Sequence, residues 1–587
     1  MSSWQLTLLT PLLLAIQTVP QVDGQWTSVR TSAFDAVGNV EPSRIVAASV
    51  FFEHLLEATR LVIPSVKGPA TSPITIVVTE DSRLISERFV EGRYRSYALV
   101  DARRSKVDAS TVSRVVRQLI RNSAESTPLW VEVGVGEFLS TADIDASGSG
   151  FTFGHPVAAH LVTLRERMLP MVVLLSTTLE SADYQDPIKR RLFVAQSWLL
   201  VHYLCAGDIT RRTQLGSYVK ELAAGTSPEL ALKTALRVDH ETLGHKLFDY
   251  AAASAYPIRA ERSTYTEPRS TLSHKRLTAG DAAATVGDVL LQAGKVTDAL
   301  ERLRRLPPQE AQRSNALGIL ARVRAVQGSR GEALRIFSES VRDPSVEDVW
   351  RYHYASTLLK ATSLLDSNQV ATDDARLAQK LLVEVHQRHP DHADVLALLG
   401  LAQLALHNPG GAILHLTDAF SSCPRHEYAL LRARAHIAAG DAGGARRLLA
   451  LLVDRGKSQA IRQGAGKLLE SVPGTLKPPM ETIPVFREPK GDELKASGYL
   501  AEIACSPSWV VLHVRLDDRV LRLATASLTW VDVISYRREP PPAVACGVRQ
   551  SPERVWVIYR PDKAAPENTE GFVKSVEFAP GTMDRQW

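Results

Sequence analysis

Five alanines, Ala299, Ala333, Ala378, Ala412 and Ala445, follow one another at spacings of 34, 45, 34 and 33 residues. A period of that length, carried by Ala- and Leu-rich segments with helical hydrophobic spacing, restricts the region to stacked helix pairs, because one pair cannot bury its apolar face alone. Other small residues keep the same register. Gly287, Ala321, Gly400 and Ala433 stand twelve residues before their alanines, while Gly294, Gly328 and Gly440 stand five before, at the turns. Pro390 and Pro424 close two of the units. The single long spacing holds an excess that fits the polar segment Leu364 to Asp374, an insertion between the two helices of the third unit.

These small-residue and turn positions resemble the tetratricopeptide repeat over residues 281 to about 470. The resemblance implies an all-α superhelix of about five units, packed through the five alanines. It also implies a concave face that takes a protein or peptide partner, hence a binding module rather than a catalyst.

With 587 residues the chain has room for further domains on both sides. Leu6 to Ile16 is a mostly apolar run too short to cross a bilayer, and Val22-Asp23-Gly24 follows it, so residues 1–24 read as a signal peptide. The expected location is the periplasm or cell envelope. Met168 to Leu175 is short and broken by Pro170, so the mature chain is expected to have no transmembrane segment. Residues 25–262 alternate strand-like runs such as Ile74 to Val78 with amphipathic helices such as Arg44 to Val62, which predicts an α+β domain, and 263–280 read as a linker. Pro473, Pro478, Pro479, Pro484 and Pro489 mark a second linker at 471–495. Val510, Leu512, Val514 and Leu516 alternate before Asp517-Asp518, as do Val555, Val557 and Tyr559, so 496–587 reads as a small all-β domain. Cys505 and Cys546 both lie in it; in an exported protein they suit a disulfide, with two buried free thiols as the alternative. The net charge, 69 minus 64 or +5, is too dilute for a nucleic-acid binder.

A second resemblance rests on Thr111 to Asn122, on Pro128 to Ser140, and on Ala195 to Leu204 with Trp198 and His202. These segments resemble the bacterial peptidase-MA-like metallopeptidases of the gluzincin group, in which one helix carries H-E-x-x-H and a following W-x-N-E-G-x-x-E-Y supplies the third zinc ligand. The likeness implies a gluzincin-like fold for residues 25–262. Aligned on Asn122 and Trp130, the family's first His, catalytic Glu, second His and third ligand become Ser113, Arg114, Arg117 and Val133. Zinc needs imidazole, thiolate or carboxylate donors, and a guanidinium has no lone pair to offer a cation. Only Trp130, Gly134 and Glu137 are retained, and Glu132 is one residue out of ligand register. The expected site is therefore vacated: no catalytic residue, no metal and no cofactor. An Arg117–Glu137 ion pair is expected to replace the metal charge, with Arg114 and Arg121 on the solvated face.

His386, His389 and His392 flank Pro390 and read as solvated turn residues, while His202, within an apolar run, reads as a satisfied core histidine. No Walker-type phosphate loop or G-x-S-x-G elbow occurs. The whole predicts a multidomain, non-catalytic, exported scaffold for protein–protein interaction. The competing readings are a zinc metallopeptidase with an unrecognised site and a peptide- or glycan-binding protein that uses the old cleft without cutting.

Overall fold

The computed structural model describes residues 25–578 except 124–126, 146–149, 224–225, 227, 266–273, 362–369, 473–488, 507–508, 529–530, 536–545 and 563. The expected signal peptide and most of the Pro-rich linker lie outside the described residues. The chain forms two compact units that divide between Thr475 and Leu476. The expected α+β domain and the repeat region are thus one unit, not two.

Strands β1 (Thr27–Arg30) and β2 (Asp35–Gly38) form a hairpin, helix α1 (Pro42–Val62) follows, and β3 (Ile74–Thr79), β4 (Phe89–Val90) and β5 (Ser96–Asp101) come next. Two packed helices, α2 (Ala109–Ser123) and α3 (Leu129–Leu139), precede a three-stranded sheet of β6 (Asp143–Ile144), β7 (Gly150–Phe153) and β8 (Arg259–Arg262). Between β7 and β8 run α4 (Ala158–Glu166), α5 (Pro187–Cys205) and shorter helices. Among the described residues no single helix is long and apolar enough to cross a membrane.

The main sheet has the order β4-β5-β3-β2-β1-β9, where β9 is Lys275–Arg276, and β2, β3 and β5 run parallel. Every residue of β3 and β5 is buried, as a parallel sheet covered on both faces requires. Ile74, Ile76, Val78, Ala98 and Val100 pack on one side with α1, α2 and α3. Val37, Val77, Tyr97 and Leu99 point the other way, into a core shared with the repeat region. The expected linker at 263–280 is tied in at both ends: Ser263 and Thr264 hydrogen-bond to Glu57, and Lys275–Arg276 pair with β1 as a sheet strand.

The second layer is five antiparallel helix pairs: α6 (Ala279–Gln292) and α7 (Val296–Arg304), α8 (Ser314–Val326) and α9 (Arg330–Ser340), α10 (Asp348–Leu358) and α11 (Thr372–Arg388), α12 (Ala393–Ala405) and α13 (Pro409–Ser422), α14 (His426–Ala438) and α15 (Ala442–Arg455). A final helix, α16 (Gln459–Ser471), covers the last pair. Ala299, Ala333, Ala378, Ala412 and Ala445 are fully buried, each on the second helix of its pair. The register is set by contact: a Cβ on Gly400 would lie 2.6 Å from Leu416, and one on Gly287 would lie 2.9 Å from Ile319. The extra residues of the third unit fall between α10 and α11, although Thr372, Asp373 and Asp374 already belong to α11.

Gly294, Gly328 and Gly440 take positive φ at the tight turns inside their pairs, and the fourth pair places His407 there, at φ 57°. An L residue held in that region is strained by about 1 kcal/mol or more.

The second unit stands by itself. Its strands are β10 (Leu494–Cys505), β11 (Val510–Arg515), β12 (Val520–Thr525), β13 (Asp532–Ser535), β14 (Gly547–Arg560) and β15 (Gly571–Phe578). The order β12-β11-β10-β14-β15 closes on itself through β12–β15 pairing, giving a small barrel with β13 added beside β15. Leu512, Val514, Val555 and Val557 fill it, and Cys505 and Cys546 are disulfide-bonded.

His407→Gly is expected to stabilise the first unit by about 0.5 to 1 kcal/mol, the relief of a left-handed L residue less the added freedom of an unfolded glycine. Chemical denaturation of the variant against the parent checks it.

Candidate functional site

The positions that the peptidase resemblance assigns to zinc lie where α2 and α3 cross. Ser113 and Arg117 sit one turn apart on α2, and Val133 and Glu137 one turn apart on α3, so all four belong to one seam. Ser113 and Val133 are buried, Arg117 and Glu137 half-buried, and Arg114 exposed as expected. The helices are close because Gly136 stands between them: a Cβ there would lie 2.9 Å from Ser113 Oγ and 3.0 Å from Arg117 Cγ. On the other side of α3, a Cβ on Gly134 would lie 2.4 Å from the Ser197 carbonyl of α5. Trp130 is buried with its ring 5.8 Å from that of Tyr218. Two of the retained positions, Trp130 and Gly134, therefore serve packing.

Glu137 has a different role. Its carboxylate accepts a hydrogen bond from Ser113 Oγ at 2.8 Å and lies 3.2 Å from His160 Nε2 of α4. Burial opposes its charge, but the bonds from His160 and Ser113 and the charges of His160 and Arg117 outweigh that and hold its carboxyl below the usual range. The expected Arg117–Glu137 ion pair is not formed within 4.0 Å: the close approach at Gly136 lets the short Ser113 hydroxyl reach the carboxylate, and α4 supplies His160. Because the carboxylate stands between serine and imidazole, the three do not form the serine–histidine–acid relay of a hydrolase, where the imidazole must reach the hydroxyl. Among the described residues no group of three or more His, Cys, Asp or Glu side chains could hold a metal ion.

Arg121 corrects another expectation. It is not solvated; its Nε donates at 2.8 Å to Glu132, which is fully buried, and Lys457 Nζ from beyond α15 meets the same carboxylate at 2.9 Å. A buried carboxylate needs such partners, and two cations satisfy it, one from the preceding helix and one from far along the chain.

Lys457 belongs to a longer seam. The first helices of the pairs share a core with the main sheet, and polar contacts run along the same side of the stack. Tyr97 of β5 donates its hydroxyl at 2.6 Å to Asp288 of α6, a fully buried carboxylate that also accepts from Gln292 and pairs with Arg322 of α8. Arg95 bonds Tyr97 at 2.7 Å and Glu347 at 2.9 Å. His392 donates Nε2–H to the Tyr94 carbonyl at 2.8 Å, its ring stacked 4.5 Å from that of Tyr94. Asp394 takes Arg93 at 3.6 Å and Arg425 at 3.3 Å, and Lys295 meets Glu87 at 2.7 Å. The side of the stack that carries these groups is covered by the chain's own sheet.

His392 is consequently not the solvated turn residue expected: it caps α12 and is buried because the sheet displaces water there. Its neighbour His389 stays half-exposed, against Asp348 at 3.1 Å. His202 is the satisfied core histidine expected, bonded to the Tyr250 hydroxyl at 2.8 Å and the Gly154 carbonyl at 2.9 Å. Burial pushes the imidazoles of His202 and His392 down to about 4. No pattern local to the sequence signals the Tyr94–His392 or Tyr97–Asp288 contacts, since their partners lie on elements far apart in the chain.

No family model and no curated protein matches the chain. Solved structures do. A MamA fragment from Desulfovibrio magneticus RS-1 is 19% identical over 31% of this chain and 98% of its own, with a TM-score of 0.26. PilF of Pseudomonas aeruginosa is 21% identical over 33% and 84%, with 0.28. A thermophilic TPR protein of Thermus thermophilus is 18% identical over 32% and 99%, with 0.26.

Asp288→Ala strands Arg322 and weakens the hold on Arg95 in a buried seam, so it should cost about 3 to 5 kcal/mol, whereas Tyr97→Phe, which removes one hydroxyl, should cost about 1. Urea denaturation of both variants measures the difference. Acid should act on the same unit. A histidine whose folded pKa is depressed binds its proton first in the unfolded chain, so stability is complete above about pH 6.5 and is lost as pH falls towards 4. Each of His202 and His392 should contribute about 1 kcal/mol per pH unit in that window. Replacing either by Gln should flatten the dependence of the denaturation midpoint between pH 6.5 and 4.5.

Proposed function

We propose that the chain is a non-catalytic interaction scaffold of the cell envelope, built on a gluzincin-like domain that has lost its zinc site. The observation that carries the reading is the seam of α2 and α3, where the ligand positions are a hydroxyl, a guanidinium and an isopropyl group and the Gly136 contact closes the space between the helices. None of these groups is a good zinc donor, and none can take a proton from a metal-bound water. The carboxylate beside these positions, Glu137, is committed to Ser113 and His160.

The repeat array supports an interaction role of an unusual kind. The first helices of its pairs share a core with the chain's own sheet, so a partner protein would engage the surface left open, that of the second helices of the pairs. The apolar run and small residue within 1–24, and the Cys505–Cys546 bond, support export to an oxidising compartment.

The purified protein should retain well under one equivalent of zinc and should leave casein uncut. Metal analysis after exhaustive dialysis, with a proteolysis assay run with and without chelator, is the test. One equivalent of tightly held zinc with chelator-sensitive cleavage would overturn the proposal.

A further inference from the structure

A cleft of about 700 Å³ opens in the first unit at the carboxyl ends of β3 and β5, beside the start of α2 at Ala109 and the end of α3 at Ser140, on the sheet face that packs with α1. Ligands of open α/β sheets bind at that end of the strands, because loops and helix starts converge there. Its floor is apolar, with Phe51 of α1, Val78 of β3, Val100 of β5 and Val107 of the connection to α2. Its rim carries both signs of charge, Arg44, Arg104 and Lys106 with Asp101 and Asp143.

The charges of that rim are unevenly used. Lys106 meets Asp143 at 2.6 Å, and Arg104 meets Asp108 at 3.2 Å and Asp101 at 3.6 Å, so these two are neutralised locally. Asp101 is held further by Arg103 at 2.9 Å. Arg44, on the first turn of α1, has no ion pair or side-chain hydrogen bond among the described residues. One uncommitted guanidinium over an apolar floor matches a ligand with one negative charge and an apolar body. The volume falls within the range of small-molecule sites, about 300 to 1,000 Å³. A guanidinium recognises a carboxylate through two parallel N–H bonds.

We propose that this cleft binds a single carboxylate carried on a short apolar group, with Arg44 receiving the carboxylate and the Phe51–Val100 floor receiving the apolar part. A free acyl chain and the carboxyl end of a peptide with an apolar last residue share this chemistry. Titration calorimetry of the full chain with octanoate, octanol, N-acetyl-leucine and N-acetyl-leucinamide tests it. At least one acid should bind and its uncharged counterpart should bind at least about tenfold more weakly. Octanoate identifies the acyl source, N-acetyl-leucine the peptide end. Arg44→Gln, at an exposed position, should leave the melting temperature unchanged and weaken the acid about tenfold. Ala142→Trp, on the wall of the cleft, should abolish binding; where it also lowers the melting temperature, Arg44→Gln decides. Binding of neither acid at millimolar concentration, equal binding of acid and uncharged counterpart, or indifference to Arg44→Gln would each refute the site. None of these results depends on whether the α2–α3 seam binds zinc.

Discussion

A parallel sheet must be covered on both faces, and this chain meets that requirement with two different kinds of layer. On one side α1, the crossover between the parallel strands β2 and β3, packs together with α2 and α3, which follow β5. On the other, Val37, Val77, Tyr97 and Leu99 are covered by the first helices of a repeat stack that begins far along the chain from Tyr97, at Ala279. The repeats therefore complete the fold of the N-terminal residues rather than append to it. A solenoid ordinarily offers extended open faces to a ligand; here one side of the stack is part of an internal core.

The polar part of the seam settles how the layers meet. Asp288, Glu132 and Asp394 are acids with almost no exposure, and each is met by cations or donors from both sides of the contact or from two helices. Removing such groups from water is costly, and the pairs recover that cost only when their geometry is right. Apolar packing alone would let helices slide along a pleated sheet. Tyr97 on Asp288, Tyr94 on His392 and Lys457 on Glu132 hold both ends and the middle of the stack in one register.

Much of this was legible in the residues. The alanine spacings located every helix pair and the interrupted unit, because the period reflects local packing that recurs along the chain. The alternation around Leu512 and Val555 gave a small all-β domain but not its closure into a barrel, and Cys505 and Cys546, which lie together in it, form the disulfide rather than the alternative of two free thiols. Ile74 to Val78, apolar but for Thr75, was legible as a strand, but not that both of its faces are buried or what covers the second. The site was read less well. That Ser113, Arg117 and Val133 offer no good zinc donor follows from chemistry alone, whereas the partner of Glu137 depended on how near α2 and α3 approach at Gly136. His392 and Arg121 were misplaced for one reason: water was assumed where another element of the same chain stands.

The Lys457–Glu132 contact bears on how such a chain can change over time. Solenoids commonly gain or lose whole units, since each touches only its neighbours. In this protein the lysine beyond the last pair must arrive opposite a carboxylate fixed on α3, while the first pair is fixed at Tyr97. Duplicating or deleting one unit would carry Lys457 out of reach and leave a charge stranded in the interior. The number of repeats is thereby locked by the sheet they enclose, and variation is confined to places such as the segment between α10 and α11, where added length leaves the span between the two anchors unchanged.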